Sequence, residues 1–515
     1  MKFVHDSPST VELFFRYVET HPQQIFAKFG ERTLTASQLR DLVQETSQHL
    51  RDLGIEPGDR VAYMLDNSID LIVLVFSLMI LGSVQIPINT RLRNESLEFI
   101  VTHSDSKLIL AEDCYQSAIR SIVGGRPDID LISRHSEQSF QWPSRNDGQQ
   151  SVRDLDQQLG ADDVQFILYT SGTTGEPKGV LVTDRMLRAA ADACAKTSSA
   201  AVGDRFLLWE PLFHIGALQI LPLVLTHNIS LILVSKFSAS RFWACVRSER
   251  VTKIHFLGGI LQILLRQPAD DDRNHSCQIA WGGGAPTHVA EAFEQRFGIE
   301  VRENYGMTEA SSLTSINTDG HKGSVGQVAP YFEVKIVSDS GARVANTETG
   351  EILVRAKQAG LITPGYFNNP KATQRTIRNG WLHTGDLGSI DSDNYLYYRG
   401  RLKECIRRKG ENISGWEIER VIEQHPIVER AAAIGVPNDL DDEDIKLLVV
   451  LVEGSDQARA LGELKNWCGS QLPQFQWPQY LEFVEGFELT GTERIRKETL
   501  SKSIDSAHIL DLRAP

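Results

Sequence analysis

Short β-branched runs alternate with amphipathic stretches through roughly the first 400 residues of the chain. The runs at 60–63, 107–111, 229–234 and 253–257 predict strands. Between them, apolar positions recur at helical spacing at 70–81 and 239–249. This alternation predicts an α/β architecture with largely parallel sheets. The most apolar stretch, 71–84, reads LIVLVFSLMILGSV and is followed by Pro87. It is too short for a membrane span and predicts a buried helix leading into a strand. Residues 133–150 are polar and rich in Ser and Gln, as expected of a loop between subdomains. From Phe332 the pattern changes to short strands with turns, at 333–337, 351–355 and 395–398. After Arg401 comes a compact α+β pattern, with helices at 417–423 and 458–472 and strands at 431–436 and 446–451. A boundary near residue 401 follows, with a large unit over 1–400 and a small one over 401–515.

With 515 residues the chain is too long for one core and should hold two to four units. Hydrophobic content of 41% and charged content of 23% are ordinary for a soluble globular protein. A net charge of −14 argues against a nucleic-acid surface, since no basic excess exists to displace counterions. Cys114, Cys194, Cys245, Cys277, Cys405 and Cys468 lack C-x-x-C spacing. They read as reduced, mostly buried thiols of a cytoplasmic protein. The N-terminus, MKFVHDSPSTVELFF, has neither a long apolar core nor a small-residue cleavage site, so no secretory signal is expected.

Candidate chemistry concentrates in a few blocks. Residues 169–179 read YTSGTTGEPKG, directly after an apolar run. Thr170, Ser171, Gly172, Thr173, Thr174 and Gly175 can wrap N–H and hydroxyl donors around a polyphosphate, with Lys178 adding positive charge. This is not a Walker A loop, because Lys178 follows Pro177 rather than a glycine. The other reading is a Ser/Thr/Gly surface loop. Residues 304–309 read NYGMTE. Here a ring could stack on a purine, a threonine could donate to a phosphoryl oxygen and a carboxylate could hold Mg²⁺. Taken alone, the hexamer could equally be a surface turn. GGGAP at 282–286 offers bare glycines to a flat ligand. Asp386, in WLHTGDLG, suits both hydroxyls of a ribose, or simply an ordinary turn. His214, in PLFHIG, could line a site or sit satisfied in the core.

Together with GYFNNP at 365–370 and GRLK at 400–403, these blocks resemble the adenylate-forming enzymes. That superfamily holds acyl-CoA synthetases, firefly-type luciferases and peptide-synthetase adenylation domains. The similarity spans roughly residues 10–500. It implies a large N-terminal domain of two α/β subdomains plus a β-rich one, and a mobile C-terminal domain. The implied ligands are ATP or acyl-AMP with AMP as product, CoA and Mg²⁺. Residues Thr170 to Gly175 and Lys178 would cradle the phosphates. Asn304, Tyr305, Gly306, Met307, Thr308 and Glu309 would form the adenine and magnesium motif, with Glu309 on the metal. Gly284, Ala285 and Pro286 would lie against adenine and the acyl pocket. Asp386 and Arg401 would hold the ribose, and Lys403 would be the hinge. Arg407 and Gly410, in IRRKGENI, would face CoA. His214 would stand beside the acyl carboxylate. Amino-acid-activating members carry an aspartate after the Phe of this block, whereas His214 follows Phe213 here. An acid lacking an α-amino group is therefore favoured. The glycines at 258–259 and 282–284 predict a bulky or long hydrophobic acid, unless they serve only turns and backbone approach.

The C-terminus departs from the family. The usual pattern is Gly-Lys, Ile, a variable residue, Arg, two more, and Leu. The register preserving Ile495 and Leu500 puts Glu493 in the glycine's place, Arg494 in the lysine's and Lys497 in the arginine's. A slipped register could restore a lysine but would lose both apolar anchors. A guanidinium is bulkier and planar, so adenylation is expected to be impaired. Several readings stay open: a complete two-step acid–CoA ligase, a thioesterifying enzyme acting on supplied acyl-AMP, a non-catalytic nucleotide-binding homologue, and luciferase-type oxidation. The second requires a partner enzyme that makes the adenylate. No membrane span is expected, and the chain would act as a monomer or homodimer.

Overall fold

The branched runs read from the sequence become strands of two mostly parallel sheets. A computed structural model of the protein describes residues 8–124, 129–134, 140, 142, 160–170, 177–268, 271–408, 411–438, 443–490, 495–504 and 509–512. One sheet runs in the order Glu300–Glu303, Ile279–Gly283, Lys253–Leu257, Arg205–Leu208, Ser230–Leu233, Ile25–Phe29, Arg32–Thr35. Its neighbours are parallel except the last pair, a hairpin. The other runs Asp130–Arg134, Leu108–Glu112, Arg60–Met64, Val84–Pro87, Val164–Thr170, Lys178–Thr183. It too is parallel except at its last pair.

Two buried helices fill the space between these sheets. Every residue of Ile69–Leu81 is buried, which explains a sequence apolar on all faces. The Ser68 hydroxyl caps its start, and Gly82 ends it in the left-handed conformation at φ 69°. It packs on strands of both sheets, including Ile25–Phe29 and Val84–Pro87. The predicted helix-to-strand passage is thus present. The second helix, Asp184–Ser198, is nearly all buried despite its charges. Arg188 pairs with Asp184 at 2.7 Å, and the Thr10 amide donates to the same carboxylate, so the charges are compensated.

The change of pattern at Phe332 corresponds to an antiparallel sheet. Phe332–Val337, Gly350–Ala356, Trp381–Ile390 and Ile377–Arg378 pair in that order, and Leu396–Arg401 adds to Trp381–Ile390. Beyond it, Val428–Pro437, Glu443–Leu451, Tyr480–Phe483 and Ile509–Asp511 form a further sheet. The helices Gly415–Ile422 and Gln457–Gln471 accompany it. This unit has its own core, around Ile406, Ile418, Leu447 and Leu464. It contacts the large unit through Ser414 on the Arg399 carbonyl, Arg420 on Thr287, and Arg266 on Glu429. Among the described residues no helix is long and apolar enough to cross a membrane. All six cysteines are free thiols, but only Cys194, Cys277 and Cys468 are buried. Most of the polar 133–150 segment lies outside the described residues.

Candidate active site

In open parallel sheets, ligands sit beyond the carboxyl ends of the strands. Along the first sheet those ends place Asn304 and Tyr305, Gly283 and Gly284, Gly258, and Glu210 to His214 in neighbouring positions. The backbones come very close there. The Asn304 amide donates to the Gly282 carbonyl at 2.7 Å, and the Gly258 amide to the Gly283 carbonyl. A Cβ at Gly282 would stand 1.9 Å from the Phe256 carbonyl oxygen, so no side chain fits. The segment Gly284–Ala285–Pro286 continues from that strand into the helix Thr287–Phe297. The Ala285 amide donates to Glu303 at 2.9 Å.

The surroundings of these glycines fit the alternative kept open in the sequence, turns and close backbone approach. At Gly282, Gly283 and Gly284 the nearest atoms to an added Cβ are backbone. At Gly259 it would meet the Arg430 guanidinium, 2.9 Å away, so that glycine makes room for the C-terminal unit.

Two hydrogen-bonded carboxylates define the centre. Tyr305 donates its hydroxyl to Asp386 at 2.8 Å, and both are buried. Arg401 stands 3.3 Å from the other Asp386 oxygen. Asp386 and Arg401 are register partners across an antiparallel pair, so the sheet itself holds cation against anion. The Tyr305 ring packs toward Tyr398, with centroids 6.0 Å apart. Burial, then the Asp386 charge, push the Tyr305 phenol well above its ordinary pKa, so it stays a donor.

Glu309 lies in a single 3-10 turn, Thr308–Ala310. Gly306 makes the approach to it possible, since a Cβ there would lie 1.7 Å from the Ser312 carbonyl oxygen. Met307 packs against the core, and its carbonyl accepts from Ala310 and Ser312. Tyr366 donates to Glu309 at 2.8 Å. Burial pushes the Glu309 carboxyl up, while Tyr366 and Arg401 oppose the rise. Tyr366 also places its ring 5.1 Å from the Lys178 ammonium. Its own backbone bridges to Val180, and Phe367 donates to the Gly179 carbonyl. The GYFNNP block therefore ties the strand of Lys178 to the Glu309 carboxylate, a role its sequence did not disclose. Glu303 was also missed. Burial, opposed by Arg420, pushes its carboxyl up to about 7.

Of the candidate phosphate loop, Thr170 ends one strand and Lys178 begins the next, paired in register. Ser171, Gly172, Thr173, Thr174 and Gly175 lie outside the described residues. His214 follows a tight turn, and its Nε2 is buried without a partner among the described residues. Burial pulls its pKa down, so the imidazole is neutral. Lys403 occupies the 3-10 turn Leu402–Glu404 that follows Arg401. Burial, then the Lys178 and Arg401 charges, lower its pKa, which puts this hinge candidate within reach of the phosphate-loop lysine's field. Arg407 sits on the strand Cys405–Arg408, while Gly410 lies outside the described residues.

Glu493 and Arg494 also lie outside the described residues, but their flanks do not. Ile495 bridges to Leu489, and Leu500 packs on the cluster of Ile434, Val436, Leu448 and Tyr480. Lys497 pairs with Glu419 at 2.6 Å and Glu404 at 3.1 Å. Burial alone would lower its pKa, but the two carboxylates outweigh it and push it up to about 12. Lys497→Ala should cost about 3 kcal/mol, the low end for breaking a buried pair on one side. A raised folded pKa means this stability is present below the ordinary lysine pKa and lost as pH rises through about 12. Urea unfolding of the variant at neutral pH measures it, and an unchanged midpoint would refute it.

The candidate site thus lies at the carboxyl ends of a parallel sheet, in a chain whose C-terminal part is a small α+β unit with its own core. Comparison with known proteins gives the class. The sequence profile of the AMP-binding enzymes matches residues 14–367, and that of the AMP-binding enzyme C-terminal domain matches 417–494. A long-chain-fatty-acid–CoA ligase of Mycobacterium tuberculosis is 31% identical over 482 residues, covering 91% of this chain and 92% of its own. A crotonobetaine/carnitine–CoA ligase of Escherichia fergusonii is 31% identical over 480 residues, covering 90% and 92%. The o-succinylbenzoate CoA synthetase of Bacillus subtilis, solved with its acyl-adenylate intermediate, superposes with a TM-score of 0.81 at 25% identity, covering 95% and 97%. The chain belongs to the AMP-binding enzymes, the adenylate-forming superfamily, and within it to the acyl-CoA synthetases.

Proposed function

We propose that this protein converts a carboxylic acid, through an acyl-adenylate, to its CoA thioester, and that its adenylation step is weak. The observation that carries the first part is the buried pair of hydrogen-bonded carboxylates, Asp386 on Tyr305 and Arg401, and Glu309 on Tyr366. In the first half-reaction a carboxylate oxygen of the acid attacks the α-phosphorus of ATP, and pyrophosphate leaves. In the second, the CoA thiol attacks the acyl carbon, and AMP leaves with the bonding electron pair.

The residues divide this work by their chemistry. Lys178 and the loop from Thr170 meet the phosphates, where a cation and hydroxyl donors are needed. Asp386 and Arg401 hold the ribose. Thr308 donates to a phosphoryl oxygen. Glu309 suits Mg²⁺, which keeps several waters and takes one or two carboxylates with substrate phosphates. When bound, the ion would neutralise developing charge on the phosphates. His214, neutral by burial, can orient the acyl carboxylate without trapping it in an ion pair. The small unit, residues 401–515, turns about Lys403 between half-reactions, and Arg407 and Gly410 then face CoA. The relatives named for long-chain fatty acids and for crotonobetaine and carnitine support an acid larger than acetate.

Weak adenylation is inferred from Arg494 and Glu493 standing where the family has lysine and glycine. With slow adenylation, acyl-AMP would come from a partner enzyme in the same compartment, the cytoplasm. A non-catalytic homologue is disfavoured, because Lys178, Thr308, Glu309, Asp386 and Arg401 are all present. The deciding assay is paired: pyrophosphate release from ATP with a panel of acids, and thioester formation from synthetic acyl-AMP plus CoA. Failure of both would overturn the reading.

The ribose assignment has its own test. Asp386→Ala should weaken AMP binding by about 1–3 kcal/mol, the cost of losing a charged acceptor. Calorimetry showing unchanged affinity would remove Asp386 from the nucleotide site.

A further inference from the structure

Beside the carboxyl ends of the first sheet lies a set of buried polar groups that the adenylation chemistry does not use. Glu210 follows the strand Arg205–Leu208, and His255 lies within Lys253–Leu257. Their side chains are 4% and 7% exposed. Glu210 Oε2 and His255 Nδ1 are 3.0 Å apart but not aligned as a hydrogen bond. Neither atom has a hydrogen-bond partner among the described residues. Trp281, the register partner of His255, packs on its ring with centroids 4.2 Å apart. Its indole N–H, fully buried, has no acceptor among the described residues either.

The same cluster adjoins the acyl-pocket block. A Cβ at Gly216 would stand 2.6 Å from Glu210 Oε2, so the carboxylate fills the room that any side chain at 216 would take. His214, with its buried and unpartnered Nε2, lies two residues earlier. The block is held rigidly. Asn67 donates to the Glu210 carbonyl at 2.9 Å and accepts from the Leu212 amide at 3.0 Å. Glu210 therefore has little freedom to retreat to solvent.

A buried carboxylate is costly unless it is hydrogen-bonded. Local violations of this kind collect where a ligand completes the bonding. We propose that Glu210 is a specificity-determining residue of the acyl pocket. The acid this enzyme takes then carries a hydrogen-bond donor, a hydroxyl or an ammonium, on a carbon remote from its carboxyl group. The proposal rests on the ligase reading above. A donor of either kind would pair with Glu210. A hydrocarbon end would leave the carboxylate desolvated and without an aligned hydrogen bond, and a site built to bond a polar group rejects the analogue that lacks it. An acid with a second carboxylate would meet like charge.

The experiment uses the full-length protein and four acids of equal chain length, ending in methyl, hydroxyl, ammonium or carboxylate. Thioester formation is measured with each, alongside AMP binding. The hydroxyl or the ammonium acid should exceed the methyl acid in kcat/KM by at least about tenfold, and which of the two leads identifies the donor. Glu210→Gln should erase an ammonium preference while largely keeping a hydroxyl one. Glu210→Leu should invert the ranking toward the methyl acid. A wild-type preference for the methyl or carboxylate acid would overturn the proposal. So would an unchanged ranking in Glu210→Leu with wild-type AMP affinity. If Glu210→Leu does not fold, the wild-type panel and Glu210→Gln decide. No thioester from any acid, with AMP binding intact, would count against the ligase reading instead. Calorimetric binding of the same acids in the presence of AMP then decides the role of Glu210, with the same ranking expected and its absence rejecting it.

Discussion

Glu309→Gln should lower ATP-dependent acyl-adenylate formation by about 10²–10³-fold, the usual cost of one lost electrostatic group at a reacting centre. The substitution preserves size, and the amide oxygen can still accept from Tyr366, which now donates at 2.8 Å. What it removes is the negative charge. An oxygen ligand without charge holds Mg²⁺ poorly, because the ion surrenders its waters reluctantly. AMP binding should stay near wild type, since the ribose is assigned to Asp386 and Arg401. The pH dependence follows from burial, which raises the Glu309 carboxyl above its usual range. The metal-binding form is the ionised one, present above that raised pKa. Magnesium affinity should therefore fall on acidification sooner than an exposed carboxylate would allow. Pyrophosphate release across a magnesium titration, at neutral and mildly acid pH, checks both statements. Full activity of Glu309→Gln at low magnesium would remove Glu309 from the metal site.

The contrast between Glu309 and Tyr366 shows which parts of this molecule its sequence could disclose. Periodicity located strands such as Lys253–Leu257 and helices such as Ile69–Leu81 because those patterns are local consequences of burial. The charged site residues stood out because their blocks are short and chemically dense. The contacts that hold them were not legible. Tyr366 reaches Glu309 from 57 residues away, and Tyr305 reaches Asp386 across 81. Such pairings depend on how the antiparallel sheet packs against the parallel ones, not on either segment alone. Gly259 failed in the same way: a sequence shows that a side chain is missing, not that Arg430 takes its place. Glu210 and His255 were overlooked because each lies in an apolar run where a single polar residue carries no spacing signal.

Arg494→Lys should raise acid-dependent pyrophosphate release, and Arg494→Ala should barely change thioester formation from supplied acyl-AMP. The basis is selective change at one position. Lys178, the Glu309–Tyr366 pair and the Asp386–Arg401 pair are all present, while in the proposed register Arg494 and Glu493 stand where the family has its lysine and the preceding glycine. Lysine brings a slim point charge into a crowded site, whereas the guanidinium is planar and bulkier. In the proposed register, Glu493 would bring negative charge toward two anions and lack a glycine's backbone freedom. A missing electrostatic donor slows a step by about 10²–10³-fold. Lys497 offers no substitute, because Glu404 and Glu419 already hold its ammonium within the C-terminal unit. The gain in Arg494→Lys should be partial while Glu493 remains, and larger in the double variant Glu493→Gly, Arg494→Lys. On the proposed reading thioester formation should be spared, since it would draw on Arg407 and Gly410 rather than Arg494. The competing account is that the guanidinium still reaches the α-phosphate and does the lysine's work. Wild-type protein adenylating its acid at an ordinary rate of roughly 1–10³ s⁻¹, and losing that rate in Arg494→Ala, would establish the competing account. A low wild-type rate that rises in Arg494→Lys would leave the protein a thioesterifying enzyme dependent on a supplied adenylate.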